Sequence, residues 1–368
     1  MSAVKSLSVL ARWTVWVPLL AIVALVLSWG RSLPPAAVAL VALCLAGAVL
    51  AAVHHAEVVA YRVGEPFGSL VLAVAVTVIE VALIVTLMAD GGPKTAALAR
   101  DTVFAAVMIT CNGIIGLCLL VAALHTRVAV FHAEGSGGAL ATVATLATLS
   151  LVLPTFTTSK PGPEFSTAQL TFAAIASLAL YGLFVAVQTV RHREYFLPVT
   201  REGATIRDDS DHAPPPPRSA ALLSLTLLIV ALVAVVGDAK AVSPAIESGV
   251  ESAGLPQAVV GVVIALLVLL PETLAAVRAA RRERVQTSLN LALGSAMASI
   301  GLTIPAIALA TIWLEGPLVL GLGATHMVLL ALTVVVGALT VVPGRATLLQ
   351  GGVHLSIFAA FVFLAMSP

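Results

Sequence analysis

Long apolar runs, each about the length of a membrane-crossing helix, follow one another along this chain with short polar breaks between them. A hydrocarbon core about 30 Å thick takes about 20 apolar residues of helix. Such runs fall at 13–30, 35–53, 67–89, 102–124, 138–156, 168–190, 219–237, 256–277, 287–312, 317–340 and 346–366. They predict eleven transmembrane helices and an all-α integral membrane protein, because a helix satisfies its own backbone polar groups in lipid. The third run opens after Gly64-Glu65-Pro66 and closes at Asp90-Gly91-Gly92-Pro93, residues that commonly bound helices.

Residues 191–218, from Arg191 through Pro214–Pro217 to Arg218, are polar, charged and proline-rich. They read as a solvated linker between six runs and five. Placing the N-terminus in the cytoplasm puts fourteen of the nineteen Lys and Arg residues on that side and five outside. That bias predicts a cytoplasmic N-terminus, a cytoplasmic linker and an external C-terminus. Run 13–30 is then an extra helix, and 35–190 and 219–366 are two five-helix repeats of opposite topology. Inverted repeats are a frequent plan of secondary transporters, with the ion site near the midplane. Self-similarity between the halves is faint in the letters, so the topology carries this inference.

Composition narrows the class. The chain is 60% hydrophobic and 10% charged, with a mean hydropathy of +1.09, against about 25% charged residues in soluble domains. A net charge of +1 leaves no basic stripe for nucleic acid. Cys44, Cys111 and Cys118 sit in apolar runs without CxxC spacing and predict neither disulfides nor zinc. Lys5 and Arg12 precede the first apolar run, but no small-residue cleavage site comes before Pro34-Pro35, so it is read as a retained span. Neither H-E-x-x-H nor P-loop spacing occurs. A transporter without a resident cofactor is expected, rather than an enzyme.

Glu80 and Glu272 are the carboxylates deepest within these runs, one in each half. A charge at the bilayer centre costs about 2.5–3.5 kcal/mol on insertion scales, and such residues mark ion or proton pathways. Thr77 shares a helix face with Glu80. Pro271 removes a backbone donor and clashes with the Leu267 carbonyl, so a kink is predicted just before Glu272. Unwound carbonyls at such breaks often coordinate cations. The spans that follow are small and polar: Thr110, Asn112, Gly113 and Gly116 in one, Ser288, Asn290, Gly294, Ser295, Ser299 and Thr303 in the other. Two carboxylates with neutral oxygens suit Ca²⁺, which takes about 6–8 oxygen ligands; Na⁺ or K⁺ would leave one carboxylate with surplus charge or a proton. The expectation is that the two acids converge on a common cavity where cation and proton compete.

Gly64-Glu65-Pro66-Phe67-Gly68 through Thr77-Val78-Ile79-Glu80-Val81-Ala82-Leu83, then Arg100-Asp101-Thr102 and Cys111-Asn112-Gly113-Ile114-Ile115-Gly116, resemble the first signature repeat of calcium/proton antiporters. Leu270-Pro271-Glu272-Thr273 through Asn290-Leu291-Ala292-Leu293-Gly294-Ser295 resemble the second. The similarity extends over essentially the whole chain. It points to the calcium/cation antiporter superfamily, in particular its bacterial ChaA-type branch. The resemblance implies alternating access, with Glu80 and Glu272 binding Ca²⁺ or protons and with Asn112 and Ser295 matching the repeats' neutral ligands. Val76-Thr77 and Val268-Leu269 replace the usual Gly-Asn, and Met108 stands where a serine is often found. Fewer neutral oxygens then surround the ion, and the ChaA-type branch is associated with Na⁺ and K⁺ exchange as well. These features together predict a bacterial inner-membrane antiporter that moves Ca²⁺ outward against entering protons, or alternatively Na⁺ or K⁺.

Other polar residues carry less. His54, His55 and Glu57 are expected to cap the second run at the membrane edge, or to relay protons and sense pH. Asp238, Glu247 and Glu251 near Lys240 are expected in a solvated external loop. His326 and His354 are expected as packing residues. Asp208, Asp209 and Asp211 lack the glycine and bidentate Glu of an EF-hand and are expected to be disordered.

Overall fold

The computed structural model describes residues 13–31, 33–64, 67–89, 95–199, 215–314 and 316–367, with the backbone alone at 67–70 and 72. Lys5, Arg12, Glu65, Pro66, the Asp90–Pro93 break, Lys94, Arg201, Arg207, Asp208, Asp209 and Asp211 lie outside the described residues, as does the side chain of Phe67.

In chain order the helices are α1 (Trp13–Ser28), α2 (Pro35–Val63), α3 (Phe67–Ala89), α4 (Leu98–Met108), α5 (Ile115–Thr126), α6 (Ala133–Ala147), α7 (Thr167–Ala186) and α8 (Arg218–Ser252). The rest are α9 (Ala258–Val268), α10 (Leu270–Arg281), α11 (Val285–Ala310), α12 (Ala324–Val341) and α13 (Leu348–Met366). A π-helical turn, Ile109–Ile114, joins α4 to α5 into one stretch. Among the described residues eight helical stretches are long and apolar enough to cross a membrane, or nine when the bent pair α9–α10 is one span. Trp13–Ser28 and Ala73–Ala89 are shorter apolar helices. Helix occupies the greater part of each apolar run of the sequence, with the runs at 102–124, 138–156 and 256–277 each divided between more than one element.

The chain divides into two compact units that do not follow the halves of the sequence. The first is Met1–Asp90 with His212–Gly254, the second Gly91–Asp211 with Leu255–Pro368. In the first unit α2 and α8 form the main pair, with α1 and α3 packed on both. The pair is antiparallel: Arg62 donates to the Pro216 carbonyl at 3.5 Å, and His55 meets Ser224 at 3.2 Å further along. In the second unit α11 packs on α6, α7 and α10, while α5 and α13 cross closely. Gly351 permits that crossing: a Cβ there would lie 2.8 Å from the Leu120 nitrogen and 3.0 Å from the Gly116 oxygen. Small residues let membrane helices approach in this way. On α7 the buried positions Ala173, Ser177, Tyr181 and Phe184 form one stripe, whereas Phe172, Ile175, Leu178 and Leu183 are exposed. Such a helix presents its apolar majority to lipid.

Several boundaries differ from the sequence pattern. Helix α2 does not stop at residue 53; it runs on through His54, His55 and Glu57 to Val63, where Gly64 at φ 78° ends it. The polar side chains are tolerated because α1 and α8 cover that turn. Helix α8 continues past 237 to Ser252, with Pro244 inside it. Asp238, Lys240, Glu247 and Glu251 are therefore helical and not in a loop, and Asp238 is completely buried. Residues 317–323 form neither helix nor strand ahead of α12. They are held by Gly321 N–H to the Pro163 carbonyl and Leu322 N–H to the Leu151 carbonyl, both within 2.9 Å. The all-α class acquires one small exception, a two-stranded antiparallel pair of Ala129–Val130 (β1) with Arg345–Ala346 (β2).

Candidate functional site

Glu80 lies on α3 with 2% of its surface exposed, beside the buried Ile79, Leu83 and Ile84. Thr77 is buried on the same face, three residues earlier. Its hydroxyl donates to the Ala73 carbonyl at 2.8 Å, so only its oxygen lone pairs remain for a ligand.

Glu272 occupies a different local structure. Helix α9 ends at Val268, α10 begins at Leu270, and the axes bend by 52° between them. Pro271 is the second residue of α10, so the missing donor and ring clash fall where the sequence places the kink. Thr273 closes the new turn, its hydroxyl donating to the Leu269 carbonyl at 2.7 Å. Glu272 is half-buried in the first turn of α10, where unpaired amides and the helix dipole favour negative charge.

Asn112 sits inside the π turn, fully buried. Single π turns within α-helices occur frequently at functional positions. Its amide nitrogen donates to Thr333 Oγ1 of α12 at 2.9 Å, and its Oδ1 lies 3.2 Å from His354 Nδ1 of α13. His354 Nε2 in turn lies 3.1 Å from Thr340 Oγ1. The donors and acceptors form one consistent chain. Thr340 donates to Nε2, Nδ1–H donates to Asn112, Asn112 donates to Thr333, and Thr333 donates to the Leu329 carbonyl at 2.8 Å. His354 thus donates from Nδ1 in this network and is a packing residue with both nitrogens engaged. Thr333 and Thr340 gave no signal in the sequence, where they are two hydroxyls in an apolar run.

The small, polar face of α11 divides by role. Ser288 is buried and donates to the Ala276 carbonyl at 2.8 Å, tying α11 to α10. Asn290 receives Gln286 Nε2 at 2.8 Å and donates to the Phe196 carbonyl at 2.7 Å. The nitrogen of that amide ties α11 to the chain segment leading into the linker, while its oxygen is held within α11. Ser295 is half-buried, and Ser299 and Thr303 are buried further along. The second unit brings α10, α11 and the π turn of Asn112 into contact. Glu80 and Thr77 belong to the first unit. No group of three His, Cys, Asp or Glu able to hold a metal occurs among the described residues.

His55 is buried, with Nε2 at 2.8 Å from the Thr14 carbonyl and Nδ1 at 3.2 Å from Ser224 Oγ. It joins α1, α2 and α8 and is no surface cap. His54 and Glu57 are half-buried on the same helix.

The sodium/calcium exchanger protein family model matches residues 33–190 and 223–367. A protein of Sinorhizobium fredii that carries the name of an ionic transporter, y4hA, is 47% identical over 364 residues, 97% of this chain and 96% of the relative. The sodium-potassium/proton antiporter ChaA of Escherichia coli is 35% identical over 349 residues, 94% of this chain and 93% of that protein. Among solved structures, native YfkE superposes with a TM-score of 0.70 at 14% identity, covering 97% of this chain and 99% of the other. The H⁺/Ca²⁺ exchanger CAX superposes with a TM-score of 0.69 at 14% identity, covering 98% and 88%. These two likenesses establish the fold. The family match and the curated relatives establish the kinship: this chain belongs to the sodium/calcium exchanger protein family, whose members are multi-pass membrane transporters and not enzymes.

Proposed function

We propose that this chain is a cation/proton antiporter of the bacterial inner membrane, exporting Ca²⁺ in exchange for external protons by alternating access. The observation that carries the reading is the pair of acids. Glu80 is sealed within an apolar helix, and Glu272 stands at the proline break of another. An ionised acid within a membrane span is costly, and either a cation or a proton neutralises it, so the two ions compete for each carboxylate. That exclusivity is what couples two ions in antiport. Asn112, Thr77, Ser295 and Ser299 are the proposed neutral oxygens. The two five-helix repeats, 35–190 and 219–366, would supply one acid each, with the N-terminus and linker in the cytoplasm and the C-terminus outside. In vesicles under an imposed pH gradient, Glu80→Gln and Glu272→Gln each abolish calcium movement; wild-type exchange by either variant removes that residue from the mechanism.

A second reading, exchange of Na⁺ or K⁺ for protons, has its own support. The 35%-identical relative is named for those ions. Measuring which of Ca²⁺, Na⁺ and K⁺ collapses an imposed pH gradient in everted vesicles decides between them.

A further inference from the structure

Asp238 is an acid the two glutamates leave unexplained. It is fully buried in α8, and neither carboxylate oxygen has a hydrogen-bond partner among the described residues. A native structure rarely leaves such a group unsatisfied without a function or a missing ligand. An ionised carboxylate in that state would pay the full desolvation penalty, which a bound proton removes.

The surroundings select the ligand. Among the described residues α1 carries no titratable side chain at all. From α2 the titratable group whose interaction reaches Asp238 is the Cys44 thiol. His54, His55, Glu57, Tyr61 and Arg62 lie about three turns or more beyond Cys44 along α2. From α3 the acid is Glu80, and α8 itself adds Lys240, Glu247 and Glu251. Ser243 of α8, a hydroxyl within reach of that stretch, donates to Glu247 at 2.9 Å. Apolar Ala234, Val235, Ala239 and Val242 complete the buried face of α8 around Asp238. One carboxyl in such walls cannot assemble a metal's coordination shell. It can hold a proton.

Its level in the first unit is informative. A groove of about 570 Å³ is lined by Leu25 and Trp29 at the end of α1, Val85, Thr86 and Ala89 at the end of α3, and Gly237 and Lys240 of α8. Asp238 therefore stands at the height where α1 and α3 terminate. Glu80 lies nine residues back from Ala89 on α3, about 13 Å along the helix. One acid is at the groove end of the unit and the other in its interior.

We propose that Asp238 is a proton-binding station at the groove end of the first unit, occupied by protons moving between solvent and Glu80. A proton taken from solvent converts its carboxylate to the neutral acid, and the same proton leaves in the reverse step. This rests on the cation/proton reading above, with a readout that stands apart from it.

Two measurements test it. In everted vesicles Asp238→Asn lowers proton-coupled cation exchange about a hundred-fold or more, while isotopic cation-for-cation exchange, which moves no proton, keeps the wild-type rate. Asp238→Glu restores the coupled rate. Equal loss of both exchange modes, or unchanged coupled exchange, overturns the proposal. The wild-type protein in membranes is also treated with dicyclohexylcarbodiimide, which attacks protonated carboxyls in apolar surroundings, and mapped by mass spectrometry. An adduct on Asp238 whose yield falls as pH is raised is the expected result; no adduct on Asp238 at any pH overturns the station, whether or not Asp238→Asn folds. If the wild type moves no cation against protons, the antiport reading fails, and the labelling still decides whether Asp238 binds a proton.

Discussion

Asn112 Oδ1 and His354 Nδ1 meet at 3.2 Å although 242 positions separate them in the chain. The contact joins the π turn to α13 and continues to Thr333 and Thr340 on α12. Every member is buried, so each link satisfies a group that would otherwise be orphaned in an apolar interior. The same bond fixes the orientation of the Asn112 amide proposed as an ion ligand.

Truncating one end of this chain should therefore cost more than one ordinary hydrogen bond. His354→Ala leaves Asn112 Oδ1 and Thr340 Oγ1 unpartnered and is expected to destabilise the protein by about 2–4 kcal/mol. Thr340→Val removes only the distal link and is expected to cost about 1 kcal/mol. Thermal unfolding of the detergent-solubilised protein measures both, and equal, negligible shifts would remove the network from the stability of the fold.

The bend at Leu269 supplies a second test. Pro271→Ala restores a backbone donor for the Leu267 carbonyl and removes the ring clash. The α9–α10 pair is expected to straighten, displacing Glu272 while leaving its chemistry intact. Exchange in vesicles should fall about ten- to a hundred-fold with unchanged or higher thermal stability. Full activity in the straightened variant would show that the break does not position Glu272.

A pair of adjacent glycines on α13 gives an internally controlled prediction. A Cβ on Gly351 would press on the backbone of Leu120 and Gly116, which cannot rotate away, whereas one on Gly352 meets nothing within 4 Å. Gly351→Ala should destabilise by about 1–3 kcal/mol, and Gly352→Ala should be neutral or slightly stabilising because alanine favours helix. Matching unfolding temperatures for the two variants would contradict the close α5–α13 crossing.

In the first unit, His55 links three helices through the Thr14 carbonyl and Ser224. His55→Ala orphans the Thr14 carbonyl and Ser224 hydroxyl and is expected to cost about 2–3 kcal/mol. Ser224→Ala breaks one contact and should cost about 0.5–1.5 kcal/mol. Both variants are expected to keep the pH profile of exchange; a displaced profile would mark His55 as a pH sensor.

The sequence by itself determined what depends on local chemistry. Apolar runs of about twenty residues specify helices in a membrane because lipid offers the backbone no other partner, and the structure has helices at each of those places. Glu80 and Glu272 were legible because an acid in such a run is costly, and the bend before Glu272 because Pro271 lacks a donor wherever it folds. Only the tertiary structure decided what neighbours cover. Polar residues after 53 and after 237 look like helix ends in a one-dimensional pattern, yet α2 and α8 continue because each shields the other's polar turns. Asp238 read as a loop residue for the same reason, and its burial appeared only once α8 was packed. The partners of Asn112 lie over two hundred residues away, and no periodicity along a chain encodes a hydrogen bond made by the folding of distant helices against one another.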